Sequence, residues 1–226
     1  MIKFIKRFRT TALLVLLPFV LNSCFEVSEE YYFENDGSGK ATFTIDLSES
    51  IGMLKLMQGM DTSGSNNQVD SLFENKAVIE TLSAIDGIYD VKNMSDTNTG
   101  IISYSYSFKN IEALNKALMA KGGNSALGIG GNQDGGVNRF EKNGKTIIRS
   151  LSFPKDEGES SEDEAMTEAF LSDATWKITY HFNNKIKKAS GTNTSVEKDK
   201  KTVVSSAKIL DLTKGKSNLN STIKLK

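Results

Sequence analysis

Residues 31–48, YYFENDGSGKATFTIDLS, decide how this chain is to be read. From residue 40 onward, Ala41, Phe43, Ile45 and Leu47 alternate with Lys40, Thr42, Thr44 and Asp46. A period of two sends the two sets to opposite sides of an extended strand, so one face is buried and the other solvated. Asn35-Asp36-Gly37-Ser38-Gly39 supplies turn chemistry ahead of it, and 30–47 reads as a β-hairpin. The acidic turn also invites a calcium-loop reading, which its register rejects. With Gly39 at the loop's sharp-turn position, Ile45 falls where a bidentate Glu is required.

The same alternation recurs along the chain. In IISYSYSF, Ile102, Tyr104, Tyr106 and Phe108 alternate with serines, which predicts a half-exposed strand. In ATWKITYHF, Trp176, Ile178, Tyr180 and Phe182 face one way, while Lys177, Thr179 and His181 face the other. Asn143-Gly144 predicts a hairpin joining 138–142 to 145–153. There Arg149 shares the apolar face of Ile147, Leu151 and Phe153, and so needs a partner or an exit to solvent. Shorter strands are expected near 184–189, 193–198, 202–210 and 219–225.

Helical spacing separates these strands. Ser71 and Glu74 match a capping box opening a helix to about Ile85, and Asn110 caps a second carrying Ile111, Leu114 and Leu118. A third segment, 48–60, sets Ile51, Met53, Leu54, Met57 and Met60 nearly around a helix, with Gly52 and Gly59 weakening it. Its methionines make an adaptable apolar surface, a flap over an apolar ligand or a partner-binding helix; the plainer reading is a short helix packed on the sheet. One-sided strands point to an α+β fold, mainly antiparallel β-sheet built from hairpins with three to four helices packed on it. We expect a single domain over 31–226, with flexible loops near 121–137 and 154–165.

Before this domain stands a different kind of sequence. Lys3, Lys6, Arg7 and Arg9 precede an apolar run from Thr11 to Leu21 that is too short to span a bilayer and is interrupted by Pro18. The run ends in Leu21-Asn22-Ser23-Cys24, which resembles the lipobox of bacterial lipoproteins, with Asn22 departing from the usual small or branched residue. That resemblance implies cleavage of residues 1–23 and acylation of Cys24 by several chains, each contributing about 0.8 kcal/mol per buried CH₂. Residues 24–30 are then a lipidated cysteine and a short acidic tether. The acids of FEVSEE resemble the surface-export signals of some Bacteroidetes lipoproteins; a solvated spacer is the plainer reading.

The chain carries 28 basic and 28 acidic residues, and loss of the four basic residues before Cys24 leaves a net charge of −4. No basic excess marks nucleic acid as a partner. Cys24 is the one cysteine and His181 the one histidine, so an internal disulfide is impossible and zinc or Ser-His-Asp chemistry lacks its usual material. The glycine-rich 121–137 has a helix before it rather than a strand and lacks Gly-Lys-Ser/Thr, which excludes a phosphate cradle. No metal or cofactor is expected. The carboxylates around 156–168 are the one place where an envelope hydrolase could find its acid and base, and a solvated loop is the default.

The order of these segments is similar to that of bacterial envelope lipoproteins of the LppM type. The likeness runs through the lipobox, the DGSG hairpin, GIYDVKNMSDTNTGIISYSYSFKNIEALNKAL at 87–118 and TWKITYHFNNKIKKASGTNTSVEKDKKTVV at 175–204. It implies an α+β envelope domain that binds lipid or glycolipid without enzymatic chemistry. The expectation is therefore a non-enzymatic, lipid-anchored protein of the bacterial cell envelope, at the outer membrane. It would act as a binding or structural module for an apolar ligand or an envelope protein.

Overall fold

A computed structural model describes residues 25–52, 73–120, 137–152, 168 and 171–226. In chain order its strands are β1 Glu26–Phe33, β2 Gly39–Asp46, β3 Ile88–Asn93, β4 Ile101–Phe108, β5 Val137–Asn143, β6 Thr146–Ser152, β7 Thr175–Phe182, β8 Ile186–Ser190, β9 Thr194–Val196, β10 Thr202–Lys208 and β11 Ser221–Leu225. The named helices among these residues are α1 Lys76–Ser83, α2 Ile111–Met119 and α3 Ile209–Thr213.

The strands form two sheets. The larger has seven strands in the order β3-β4-β2-β1-β7-β10-β9, and the smaller has four in the order β5-β6-β11-β8. The expected α+β class holds, with strand dominating and the three named helices among the described residues short. A single sheet covered by helices does not describe the molecule, because much of the larger sheet's apolar face lies under the smaller sheet. Phe140 on β5 shows the contact: its ring packs edge-on against Tyr31 and Phe33 of β1, at 4.9 and 5.4 Å between centroids. The hairpin rule also has an exception. β1 pairs antiparallel with β2 but parallel with β7, from Glu26↔Thr175 to Phe33↔Phe182.

The hairpin of β1 and β2 forms where the turn residues place it. Gly37 takes a positive φ of 96°, and Asp36 accepts from the backbone N–H of Ser38 at 2.9 Å. Gly39 is required for another reason: a Cβ there would lie 1.9 Å from the Tyr32 carbonyl oxygen. Ala41, Phe43, Ile45 and Leu47 are buried, as their alternation predicts. Trp176, Ile178, Tyr180 and Phe182 of β7 are buried on the same side of the sheet. Each such side chain contributes roughly 1.5–3 kcal/mol by leaving water.

Three local expectations need correction. Residues 25–30 are not a tether. Phe25, Val27, Glu29, Tyr31 and Phe33 occupy successive inward positions, so FEVSEE belongs to the central strand. The serine side of β4 is not open to solvent: Ser103 and Ser105 are buried, and Ser103 Oγ donates to the Phe43 carbonyl at 3.0 Å. Finally, α1 begins at Lys76. Asn75 stands at its start in the left-handed region, φ 47°, and spends its side chain on Ser95 at 2.9 Å instead of on a cap. Ser71, the first residue of the expected capping box, lies outside the described residues.

By contrast α2 is capped as read, with Asn110 accepting from the Ala113 N–H at 2.9 Å. Its Asn115 exchanges two hydrogen bonds with the backbone of Phe140, at 2.9 and 2.7 Å. That pair satisfies part of the outer edge of β5, an end strand of the smaller sheet, and blunts its tendency to pair with another chain.

Candidate functional site

The central strand brings two glutamates to opposite faces of the larger sheet. Glu29 points inward. The register aligns it in one row with Tyr104, Phe43, Ile178 and Ser205, all of them buried. Arg149 on β6 meets it from the smaller sheet, with Nη2 3.0 Å from Glu29 Oε2 and both side chains almost wholly inaccessible. This is the partner that the apolar setting of Arg149 demanded.

The pair sits in a ring of tyrosines. Tyr31 donates its hydroxyl to Glu29 Oε2. The Arg149 guanidinium lies over the Phe140 ring, 4.5 Å from its centroid, and 5.8 Å from that of Tyr31. Its Nε and Nη1 have no close hydrogen-bond partner among the described residues, so the aromatic faces and the nearby Tyr180 hydroxyl offset only part of their desolvation. Burial, reinforced by the Glu29 charge, holds the Tyr31 phenol well above its usual range. Burial does the same to Tyr104 and Tyr106, and pushes Tyr180 up to about 12. The four phenols stay protonated at neutral pH and so are not poised as bases or nucleophiles; Tyr31 donates to Glu29, whereas the Tyr180 hydroxyl accepts from Ser221 Oγ at 3.4 Å.

Glu30 points outward. Its Oε1 lies 2.8 Å from His181 Nε2 and accepts from the Tyr32 hydroxyl at 2.8 Å. The His181 and Tyr32 rings stack at 4.3 Å, and Thr202 Oγ1 lies 3.3 Å from His181 Nδ1. The histidine is half-buried on the polar side of β7, as its alternation predicts. No second histidine or metal set joins it: among the described residues no group of three His, Cys, Asp or Glu could hold a metal ion.

The residues singled out in the sequence are only partly reached. Cys24, Leu21, Asn22 and Ser23 lie outside the described residues, as do Met53, Leu54, Met57 and Met60 and the glycine-rich 121–136. Ile51 is described. It packs partly buried against the core, beside Leu47 and Gly100 at the end of the sheet where β1 begins. Of the acidic stretch, Glu168 is described, and it is ion-paired with Lys214. The Glu29–Arg149 pair is half legible in the sequence: the apolar face of β6 marks Arg149, whereas Glu29 reads as part of a polar leader.

A surface feature lies at the other end of the molecule. Lys145, Lys187, Lys224, Leu225 and Lys226 line an open depression of about 400 Å³ on the smaller sheet.

The fold and its sites thus define a two-sheet α+β domain whose described part starts one residue after Cys24. No family model and no curated protein matches the chain. Among solved structures, the NMR structure of the folded domain of the Mycobacterium tuberculosis LppM protein is similar over 89% of this chain and 89% of its own, at 13% identity and a TM-score of 0.40. A TM-score of that size carries no argument about function. No described helix is long and apolar enough to cross a membrane.

Proposed function

We propose that this protein is a lipid-anchored module of the bacterial cell envelope, held at the outer membrane through Cys24 and acting by binding rather than by catalysis. The observation that carries the reading is the position of Phe25. It is buried, and its carbonyl accepts from the Thr175 N–H at 3.2 Å, directly after the lipobox. Acylation of Cys24 would set the start of β1 against the bilayer without a spacer.

Leu47 and Ile51 stand at that same end, because β2 finishes where β1 begins. The methionine-rich segment starting at Ile51 is therefore the surface assigned to an apolar ligand, a lipid or glycolipid, or an envelope protein. Of the acidic residues just after the cysteine, Glu29 is buried once the strand forms, so a surface-export signal in the folded protein would rest on Glu26 and Glu30.

The test is Cys24→Ala in the full chain. Palmitate labelling and membrane retention should both be lost, while the emission of Trp176 stays that of the folded protein. A variant that still partitions into detergent like the wild type ends the anchor reading.

A further inference from the structure

The lysine-lined depression is a second, independent surface. Lys224 on β11 pairs in register with Lys188 on β8, so two like charges stand side by side on one face. Like charges placed directly opposite on a sheet destabilise it. Lys224 lines the depression together with Lys145, Lys187, Lys226 and Leu225, Lys188 stands beside it, and no acidic side chain among the described residues lines it. Lys145, Lys187, Lys188, Lys224 and Lys226 take part in none of the salt bridges found among the described residues. Among the described residues, a mature chain of net charge −4 thus gathers lysine side chains free of salt bridges at one place.

Topology fixes where that place is. β7 runs parallel to β1, so Phe182 lies beside Phe33, and Lys187 follows just beyond. Lys226 N–H donates to the Lys185 carbonyl at 2.9 Å, and Leu225 N–H to that of Lys145 at 2.9 Å. Lys142, on the same hairpin as Lys145, reaches the β1–β2 turn at Gly37. The depression is therefore at the far end of the eight-residue β1, roughly 26 Å along the strand from Phe25.

We propose that this depression binds a carboxylate-bearing polysaccharide chain. The cations are lysines, compact point charges without the planar fork that selects a single phosphate, and they suit a polymer whose charges can slide past them. No aromatic ring lines the depression to stack a base. Among the described residues the exposed large apolar side chains, Tyr32, Tyr89, Met94, Met119, Val137 and Val196, are all absent from its lining, and half-buried Leu225 is the one apolar residue there, which is little to insert into a bilayer. Its open form lets a chain pass through rather than enclosing a small ligand. Binding releases the counterions that the lysines otherwise hold, and so weakens steeply with salt.

The test uses the full chain in non-ionic detergent with polygalacturonate as probe, neutral dextran as control, and phosphatidylglycerol vesicles and duplex DNA as competing arms. Polygalacturonate should be retained at low salt and dextran should not, with at least about tenfold weaker binding after a tenfold rise in salt. K187E/K224E should weaken binding by about tenfold or more, whereas K216E, at the Phe25 end, should leave it unchanged. Trp176 emission checks that each variant is folded. Equal weakening by K216E would reduce the effect to bulk charge and overturn the site. So would failure to bind polygalacturonate, or tighter lysine-dependent binding of vesicles or DNA. The same assay on C24A must still show binding, so failure of the anchor and failure of this site are separable.

Discussion

Glu29 and Glu30 are neighbours in sequence and form the same constellation twice. Each accepts from the tyrosine two residues on, and each meets a basic side chain from another strand. Strand alternation alone sends one inward and one outward. Inside, Glu29 and Arg149 are almost wholly inaccessible; outside, Glu30 and His181 retain 42% and 28% of their side-chain exposure. The same chemistry therefore ties two sheets together on one face and decorates the surface on the other.

The largest expected effect breaks the inner pair. Arg149→Met removes the cation and leaves Glu29 buried among aromatic rings, which should cost about 3–5 kcal/mol in denaturant unfolding followed by Trp176. E29L/R149M removes both charges and should recover most of that loss, because a buried pair gains little over apolar residues of similar volume. A double variant as unstable as the single one would mean that the lost packing, not the stranded charge, sets the cost.

Next in size is a pH effect confined to the inner face. Unfolded tyrosines titrate near pH 10, whereas Tyr31, Tyr104, Tyr106 and Tyr180 hold their protons above that in the fold. Below pH 10 both states are protonated and these groups leave stability flat. Above it the unfolded chain binds fewer protons than the native one, so stability falls as pH rises. The slope is about 1.4 kcal/mol per pH unit for each such tyrosine. Phenolate absorbance should appear together with unfolding; four phenols titrating freely in the folded protein would contradict the burial. Tyr32 is raised for a different reason, its hydroxyl bond to Glu30, and should titrate without unfolding anything.

The two glutamates also show what could be read from sequence. Arg149 was legible because one charge interrupted a clear apolar alternation. Glu29 interrupts an equally clear one, Phe25, Val27, Tyr31 and Phe33, but the adjacent Glu30 and the preceding lipobox make the stretch look like a polar leader. The hairpin turn, the buried faces of β2 and β7 and the cap at Asn110 follow from local rules and were readable. The parallel pairing of β1 with β7 joins residues about 150 positions apart, and no local pattern encodes it. The same holds for the smaller sheet, since its alternating strands read equally well as part of one large sheet.

A finer version of the contrast compares the two tyrosines. Tyr31→Phe strips a donor from a buried carboxylate and should cost about 1–3 kcal/mol, whereas Tyr32→Phe opens its site to water and should cost only a few tenths. Equal losses in chemical denaturation would mean that ring packing, present on both faces, outweighs the hydroxyls.

The smallest effect is the most discriminating. Glu30→Gln keeps the shape and hydrogen-bonding capacity of the side chain and removes its charge. The pair it belongs to is partly solvated and crosses strands, so the loss should be about 0–1 kcal/mol. What separates it from Arg149→Met is salt. Ions reach Glu30 and screen it over a Debye length of about 3 Å at 1 M, so its small contribution should vanish there. No ion reaches Glu29, and the cost of Arg149→Met should be nearly the same at low and high salt. Unfolding midpoints for both variants across a salt series therefore measure which face each glutamate occupies. If the two respond alike, the sheet does not divide them as the register of β1 requires.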